Sequence, residues 1–313
     1  MLTLGIDTSN YTTSVCLYNS ESGEMLQKKL LLPVKKGEKG LRQSDAVFHH
    51  TSRLYPLMKE LFADKCAEID AIGVSEKPRD AEGSYMPCFL VGVNTAESIG
   101  AAMKKPVYGF SHQAGHIAAA LYSSGRTDLI KEKFIAFHVS GGTSEMLLVT
   151  PDSERAFDIK IIGETQDLNC GQAVDRAGVM MGLSFPCGKE LEALALKSEK
   201  TFNPKVCVKS GNCSLSGLEN QCKKMLDGGE SREDIARYCI DFVCKTVEKM
   251  TEYAVSEYGD LPLVYAGGVM SNTIIKNRIQ SKFNASFAAP EFSCDNAAGI
   301  AYLASLKGAD GNG

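Results

Sequence analysis

The chain reads as an α/β protein of two similar lobes, and two observations carry that reading. Its 313 residues exceed the roughly 150 expected of one domain. The order of elements in the first half, adjacent strands followed by strands separated by helical stretches, starts again near residue 134. No residue-level repeat accompanies this duplication, but the layout suggests two α/β lobes around a cleft.

The first lobe, 1–125, opens with apolar strands at about 2–7 and 12–18. The Asp/Thr/Ser/Asn turn between them is too short for a crossover, so they form a hairpin rather than a βαβ unit. A third apolar run follows at 25–32, then an exposed basic loop at 33–42. A helix is expected over 44–63, a buried strand over 70–75, and a helix over 84–103 after a Gly turn. A short strand at 107–110 leads into an Ala-rich helix at 111–123. The second lobe, 126–313, restarts with a strand at 134–139 ending in Ser140-Gly141-Gly142, and strands at 145–150 and 157–162. A largely helical insertion runs over about 170–257, broken near Pro186 and by a loop at 200–213. A buried strand at 263–266, a Gly-Gly turn, a helix from 271 and a final helix from about 295 complete the chain.

Apolar residues make up 44% and charged residues 23%, values of an ordinary globular protein that exclude a disordered or fibrous one. The net charge of -4 makes no general case for nucleic-acid binding and leaves room for a local basic groove. No run approaches the roughly 18 to 20 apolar residues that cross a bilayer. The opening Met1 to Asp7 has no basic segment and reads directly into a strand, so it is not expected to be a signal peptide. Eleven cysteines without a C-x-x-C pair argue against a disulfide framework and a thiolate zinc knuckle, and fit a reducing cytoplasm.

His112 and His116 stand four apart in the Ala-rich helix, which puts both imidazoles on one face. They chelate a metal ion there or are two ordinary packed or exposed histidines. The spacing supplies no third ligand, and no carboxylate lies between them, so the motif is not the H-E-x-x-H of a protease. Ser140-Gly141-Gly142-Thr143-Ser144 is either a phosphate-cradling turn or a plain glycine turn between strands. Ala266 to Asn272 runs from a buried strand into a helix whose first amides suit an anion; Asn272 reaches a sugar hydroxyl or caps that helix. As a pair these segments suggest a nucleotide held between two lobes. Asp7-Thr8-Ser9 is a phosphate- or metal-facing candidate or an Asx/ST turn. Asp295-Asn296 reads as a helix N-cap, and Asp175 as a helix-surface carboxylate in an ion pair. Cys170 and Cys294, with no base beside them, read as buried inert thiols.

In order along nearly the whole chain stand LGIDTS at 4–9, SHQAGH at 111–116, HVSGGTSE at 138–145 and GETQDLNCGQAVDRAG at 163–178. FPCGKELE at 185–192, SLSGLEN at 214–220, AGGVMSN at 266–272 and CDNAAGIAY at 294–302 follow. This ordered set resembles the tRNA threonylcarbamoyl transferase family (TsaD), once described as O-sialoglycoprotein endopeptidases. The resemblance implies the two-lobed actin-like ATPase (sugar kinase/heat-shock) fold. It implies one iron or zinc ion on His112, His116 and Asp295, and substrate contacts at His138, Val139, Ser140, Gly141, Gly142, Asp175, Gly188 and Asn272. It implies an adenylate-type nucleotide, threonylcarbamoyl-AMP or ATP, in the cleft. The implied activity is that of an acyltransferase of the N6-L-threonylcarbamoyladenine synthase type. The exocyclic amine of adenosine 37 in an ANN-decoding tRNA attacks the carbamoyl carbon, and AMP leaves. The implied partners are tRNA, a paralogous scaffold subunit and an ATPase, with no membrane, in the cytoplasm.

The chain also departs from the family pattern. Asn10-Tyr11 stand where members usually carry an acidic pair, Ala114 where H-x-E-G-H has Glu, and Thr143 where S-G-G-H-T has His. Gln172 replaces a Glu, Cys187 and Lys189 alter P-G-G-P, and Glu219 ends S-G-L-K. KPRDAEGSYMPCFLVG at 77–92 replaces a T-x-G-P-G-L run. These swaps mark a divergent paralogue. Beside the family activity stands a carbamoyl- or acyltransferase of the same fold with another acceptor, favoured by the acidic balance and Glu219. A non-catalytic partner subunit is the third reading, and the retained His112, His116 and Asp295 argue against it. Lys35, Lys36, Lys39 and Arg42 form an RNA-tracking surface or a solvated loop.

Overall fold

Strict alternation of apolar side chains builds the first sheet. In β1 (Leu2–Asp7), Leu4 and Ile6 point to one face, and β2 (Thr12–Asn19) pairs antiparallel with it from Leu2↔Asn19 to Asp7↔Ser14. β3 (Met25–Leu31) extends the meander as its edge strand. α1 (Gln43–Leu61) precedes β4 (Ala71–Lys77), which runs parallel to β1; α2 (Phe89–Met103) precedes β5 (Val107–Ser111), parallel to β4. Leu4, Ile6, Ile72 and Val74 of the sheet pack with Leu54, Leu57 and Leu61 of α1. α3 (His112–Ser123) follows β5 without a linker, with Ser111 Oγ accepting the Ala114 N–H at 3.2 Å as its N-cap. The computed structural model describes residues 1–9, 11–33, 41–63, 68–292 and 297–310.

The second sheet repeats the first. β6 (Phe134–Val139) pairs antiparallel with β7 (Ser144–Asp152), and β8 (Ala156–Glu164) lies beyond it. α4 (Cys170–Met180), α5 (Gly188–Ala195), the hairpin β9 (Cys207–Lys209) and β10 (Asn212–Ser214), α6 (Ser216–Asp227) and α7 (Arg232–Tyr258) form the helical insertion. β11 (Leu263–Ala266) runs parallel to β6; α8 (Thr273–Gln280) leads to β12 (Ala285–Phe287), parallel to β11. The orders β3-β2-β1-β4-β5 and β8-β7-β6-β11-β12 are the same topology, so the predicted duplication is present strand for strand. The rings of Phe137, Tyr265 and Phe287 stack across β6, β11 and β12 at 4.6 and 4.9 Å. The buried Tyr265 hydroxyl is satisfied by Thr251 of α7 at 2.8 Å.

α7 also carries two fully buried carboxylates, Asp241 and Glu248. Asp241 meets Arg237 at 3.1 Å, and Glu248 meets Lys245 at 2.8 Å, Arg278 of α8 at 3.1 Å and Lys282, just past the end of α8, at 2.7 Å. Burial opposes the charge on Glu248. The hydrogen bonds from Lys245 and Lys282 and the Arg278 charge outweigh it and hold the carboxyl at about 2.

The chain divides into two compact units, 1–130 with 151–158 and 291–313, and 131–150 with 159–290. The final helix, α9 (Ala298–Asp310), belongs to the first unit, not to a second lobe running from 126 to 313. Side-chain size decides this. A Cβ on Gly73 would lie 2.6 Å from the Ile300 carbonyl, and one on Gly5 would lie 2.8 Å from the Ala301 N, so glycines in β1 and β4 let α9 lie directly on the sheet. Other boundaries differ locally. The helix expected from 84 begins at Phe89, because 84–88 turn before it. The loop expected at 200–213 holds the β9–β10 hairpin, and a 3₁₀ turn over Gly268–Ser271 precedes α8. β12 has only three half-buried residues and no readable period. Among the described residues no helix is long and apolar enough to cross a membrane.

Candidate functional site

Two clusters of site residues form, each within one unit. In the first unit, β1, β4 and β5 all end at the same edge of the sheet. Asp7, the last residue of β1, is buried, and its carboxylate is fully engaged. Oδ1 accepts the Ser9 N–H at 2.8 Å and the Ser75 hydroxyl at 2.7 Å; Oδ2 lies 2.9 Å from His112 Nδ1. The carboxylate can only accept, so Nδ1 of His112 carries a proton, and in the neutral ring its Nε2 presents a lone pair. One helical turn on, His116 Nε2 lies 2.9 Å from His112 Nε2. Two ring nitrogens that converge this closely share one proton or one cation. A carboxylate behind the ligating histidine is the outer partner that metal-bound imidazoles have, so the donor set fits a metal ion. Among the described residues no third His, Cys, Asp or Glu completes such a group. Asp295, Asn296 and Cys294 lie outside the described residues.

In the second unit, the turn after β6 is closed by Ser140. Its hydroxyl accepts the N–H groups of Gly142 at 3.2 Å and Thr143 at 3.1 Å, and its own N–H donates to the Thr143 carbonyl at 2.7 Å. The Gly141 N–H makes no hydrogen bond with any described residue, and both Gly141 and Gly142 border open space. α4 starts against this turn. The Cys170 N–H donates to Ser144 Oγ at 2.8 Å and the Gly171 N–H to the Ser140 carbonyl at 3.1 Å. A Cβ on Gly171 would fall 2.6 Å from the Gly141 N, so only glycine permits the approach. His138 and Val139 end β6, with Ala266 of β11 opposite His138.

The remaining site residues join this edge through hydrogen bonds. Asp175 Oδ1 accepts the Cys187 N–H at 2.8 Å, which holds the turn that opens α5 at Gly188. Burial raises the Asp175 carboxyl above its ordinary value, against the opposing pull of the Cys187 N–H. Asn272 Oδ1 caps α8, accepting from Ile274 and Ile275 at 3.1 Å. Glu192 of α5 accepts the Thr273 N–H at 2.7 Å and its hydroxyl at 2.6 Å, tying the Gly188 turn to the Asn272 turn.

The structure thus brings His138 to Gly142, Asp175, Gly188 and Asn272 to one edge of the second unit, at the carboxyl ends of its parallel strands. Ligands of open α/β sheets bind at such an edge. Asp7-Thr8-Ser9 does form an Asx turn, and the same carboxylate orients His112. Asp175 bonds a backbone amide rather than an arginine. Cys170 is buried, and burial pushes its thiol up to about 12. The sequence reading missed Ser75 and Glu192, and it placed Ser144 in the glycine turn without its bond to α4. Ser75 had a signal, a polar residue inside the apolar run of β4; Glu192 had none, because its partner is far along the chain.

The family TsaD, tRNA N6-adenosine threonylcarbamoyltransferase, matches residues 34–302. The tRNA N6-adenosine threonylcarbamoyltransferase of Thermosipho africanus is 31% identical over 96% of this chain and 92% of its own length. That of Archaeoglobus fulgidus is 28% identical over 98% and 91%. Among solved structures, the activator of 2-hydroxyisocaproyl-CoA dehydratase from Clostridium difficile with bound ADPNP is similar with a TM-score of 0.55 and 13% identity, over 100% of this chain and 97% of that one. A ROK family glucokinase from Streptomyces griseus in complex with glucose and AMPPNP is similar with a TM-score of 0.55 and 11% identity, over 98% and 100%. At these identities the likeness concerns the fold alone, and it is the actin-like ATPase fold expected above. With the family matching most of its length, the chain belongs to the TsaD family of tRNA N6-adenosine threonylcarbamoyltransferases.

Proposed function

We propose that this chain transfers a threonylcarbamoyl group from threonylcarbamoyl-AMP to the exocyclic amine of adenosine 37 in ANN-decoding tRNA. The observation that carries this reading is the pair of imidazoles His112 and His116, with Nε2 atoms 2.9 Å apart and Asp7 behind His112. A non-catalytic partner has no use for such a pair. His112 and His116, with Asp295, would hold one Fe2+ or Zn2+ ion, which supplies Lewis acidity toward an acyl or phosphoryl oxygen when bound. Asp7 fixes the His112 tautomer. The turns of the second unit take the adenylate. Gly141 N–H offers a donor to its phosphate, Gly188 and Asn272 border it, and Glu192 keeps their two turns together. The amine nitrogen forms a bond to the carbamoyl carbon, the bond from that carbon to the phosphate oxygen breaks, AMP leaves with that oxygen, and the amine proton passes to solvent. No covalent enzyme intermediate is needed. Helper subunits, a paralogous scaffold and an ATPase, are proposed partners.

The test is AMP release from threonylcarbamoyl-AMP by this protein, with its helper proteins, with and without unmodified ANN-decoding tRNA. A standard family member runs in parallel, and nucleosides are read by mass spectrometry. tRNA-dependent release with modified adenosine supports the reading. No turnover while the standard enzyme works refutes it and directs the search to other carbamoyl acceptors.

A further inference from the structure

The segment SLSGLEN at 214–220 carries part of the family resemblance, yet neither cluster above uses it. It lines an open cavity of about 510 Å3 among α6, α7 and the β9–β10 hairpin of the second unit. One wall is aromatic, formed by Tyr238 and Phe242, with Tyr238 edge-on to Phe202 at 5.5 Å. Another is polar, formed by Ser214, Ser216 and Gln221, whose hydroxyls and amide both donate and accept. Lys205 stands exposed at the rim. The first amides of α6 are not offered to a ligand. Asp167 accepts from the Leu215 N–H at 2.8 Å and the Ser216 N–H at 3.2 Å, so a free phosphate on the helix end is not what this site selects. The chemistry that fits is a flat ring with polar edges and a negative charge at the rim.

Local charge is an independent observation. Residues 197–224 hold six lysines and two carboxylates, a net +4 in a chain whose total is -4. Lys200 is paired with Glu230 and Asp234. Lys205, Lys209, Lys223 and Lys224 pair with no carboxylate among the described residues. On α6, Gly217, Gln221 and Lys224 share one helix face, so positive charge continues outward from the polar wall. Single-stranded RNA is recognised by stacking a splayed base on an aromatic ring, hydrogen-bonding its edge and pairing its phosphate with a cation.

We propose that this cavity receives one unstacked nucleotide of the RNA substrate, with its base against Tyr238 and its phosphate at Lys205. The proposal rests on the reading of tRNA as substrate, and its test reads binding at the cavity rather than turnover.

Cys207 lines the cavity and is exposed, whereas every other described cysteine is buried. Alkylation of Cys207 by N-ethylmaleimide, followed by peptide mass spectrometry, therefore reports occupancy. With unmodified tRNA at about ten times its Kd, the free fraction falls to about a tenth and alkylation slows by about tenfold. Lys205→Ala lowers the slope of log K against log salt by about 0.7 to 1. Tyr238→Ala weakens tRNA binding by about fivefold or more, and Tyr238→Phe, which keeps the ring, restores it. Because Tyr238→Ala also removes packing on Phe202, Gln221→Ala at an exposed position gives a second variant, with weaker binding and unchanged thermal stability expected. If tRNA binds and Cys207 alkylates at its free rate, the cavity proposal is overturned and the tRNA reading stands. If no tRNA binds, both fall. Protection by a helper protein in place of tRNA makes the cavity a protein-docking site and overturns the RNA occupant.

Discussion

Replacing Asp7 by Asn changes one atom and one charge, and the structure says which way the change acts. The Ser9 N–H can only donate, so the Asn oxygen must stay where Oδ1 now accepts it at 2.8 Å. The Ser75 hydroxyl, at 2.7 Å from the same oxygen, keeps its bond. The Asn Nδ2 then occupies the Oδ2 position, 2.9 Å from His112 Nδ1, and donates toward it. His112 must accept there, so its proton moves to Nε2, the atom that faces His116 Nε2 at 2.9 Å. A protonated Nε2 cannot ligate a metal. Loss of such an outer partner costs about 10- to 100-fold in metal affinity, about 1.4 to 2.7 kcal/mol. The assay is a Zn2+ titration of metal-free protein against a chromophoric chelator, with thermal unfolding of the metal-free protein as control. Two of the three hydrogen bonds persist unchanged and the third reverses its direction, so stability is expected to change by less than about 1 kcal/mol. An Asp7→Asn protein that binds Zn2+ as tightly as the parent would falsify the assignment of Asp7 as the orienting group.

Three further outcomes follow from the second unit. Gly171→Ala drives a Cβ to 2.6 Å from the Gly141 N and 2.7 Å from the Gly141 Cα. It should cost about 1 to 3 kcal/mol and displace the turn, whereas Gly142→Ala, into open space, should leave denaturant unfolding unchanged and lower adenylate affinity by calorimetry. Asn272→Ser retains the cap of α8 and removes the amide donor. Unchanged stability with weakened AMP binding is expected, and unchanged binding would leave Asn272 as a cap only. Glu248, fully buried, is held at about 2 against an ordinary 4.5, so it contributes about 3 kcal/mol above pH 4.5 that is lost as pH falls toward 2. In Glu248→Gln three cations lose their carboxylate. The melting temperature should drop at pH 7 and converge on that of the parent toward pH 2, and parallel curves would refute the account.

The departures from the family pattern have local structural roles. Gln172 accepts the Asn169 N–H at 3.2 Å and closes a capping box at the start of α4, a bond that a neutral amide makes as a carboxylate does. Ala114 is fully buried on α3, where its methyl packs without a charge to compensate. Thr143 donates its N–H to Ser140, a backbone role that is indifferent to side chain. Glu219 pairs with Arg176 across α4 and α6 at 3.1 Å, so its charge does not stand alone on that surface. Asn10 and the loop lysines Lys35, Lys36 and Lys39 lie outside the described residues; Arg42 stands at the N-cap of α1.

Much of this architecture was legible in the linear chain because its causes are local. Alternation in LTLGID and TTSVCLYN, a turn too short to cross over, and helix-length runs between later strands together specify a hairpin followed by parallel strands, twice. The four-residue spacing of His112 and His116 places both rings on one helix face wherever that helix lies. What was not legible depends on partners distant in sequence. α9 joins the first unit because Gly5 and Gly73 leave room for it, a fit of surfaces that no window of the chain contains. Asp7 holds His112, and Glu192 holds Thr273, because folding carries strand ends and helix starts to one edge. Residue spacing supplied the His112 and His116 pair and the family resemblance most of the other candidates; their hydrogen-bond partners come from contacts that exist only once the sheets have formed.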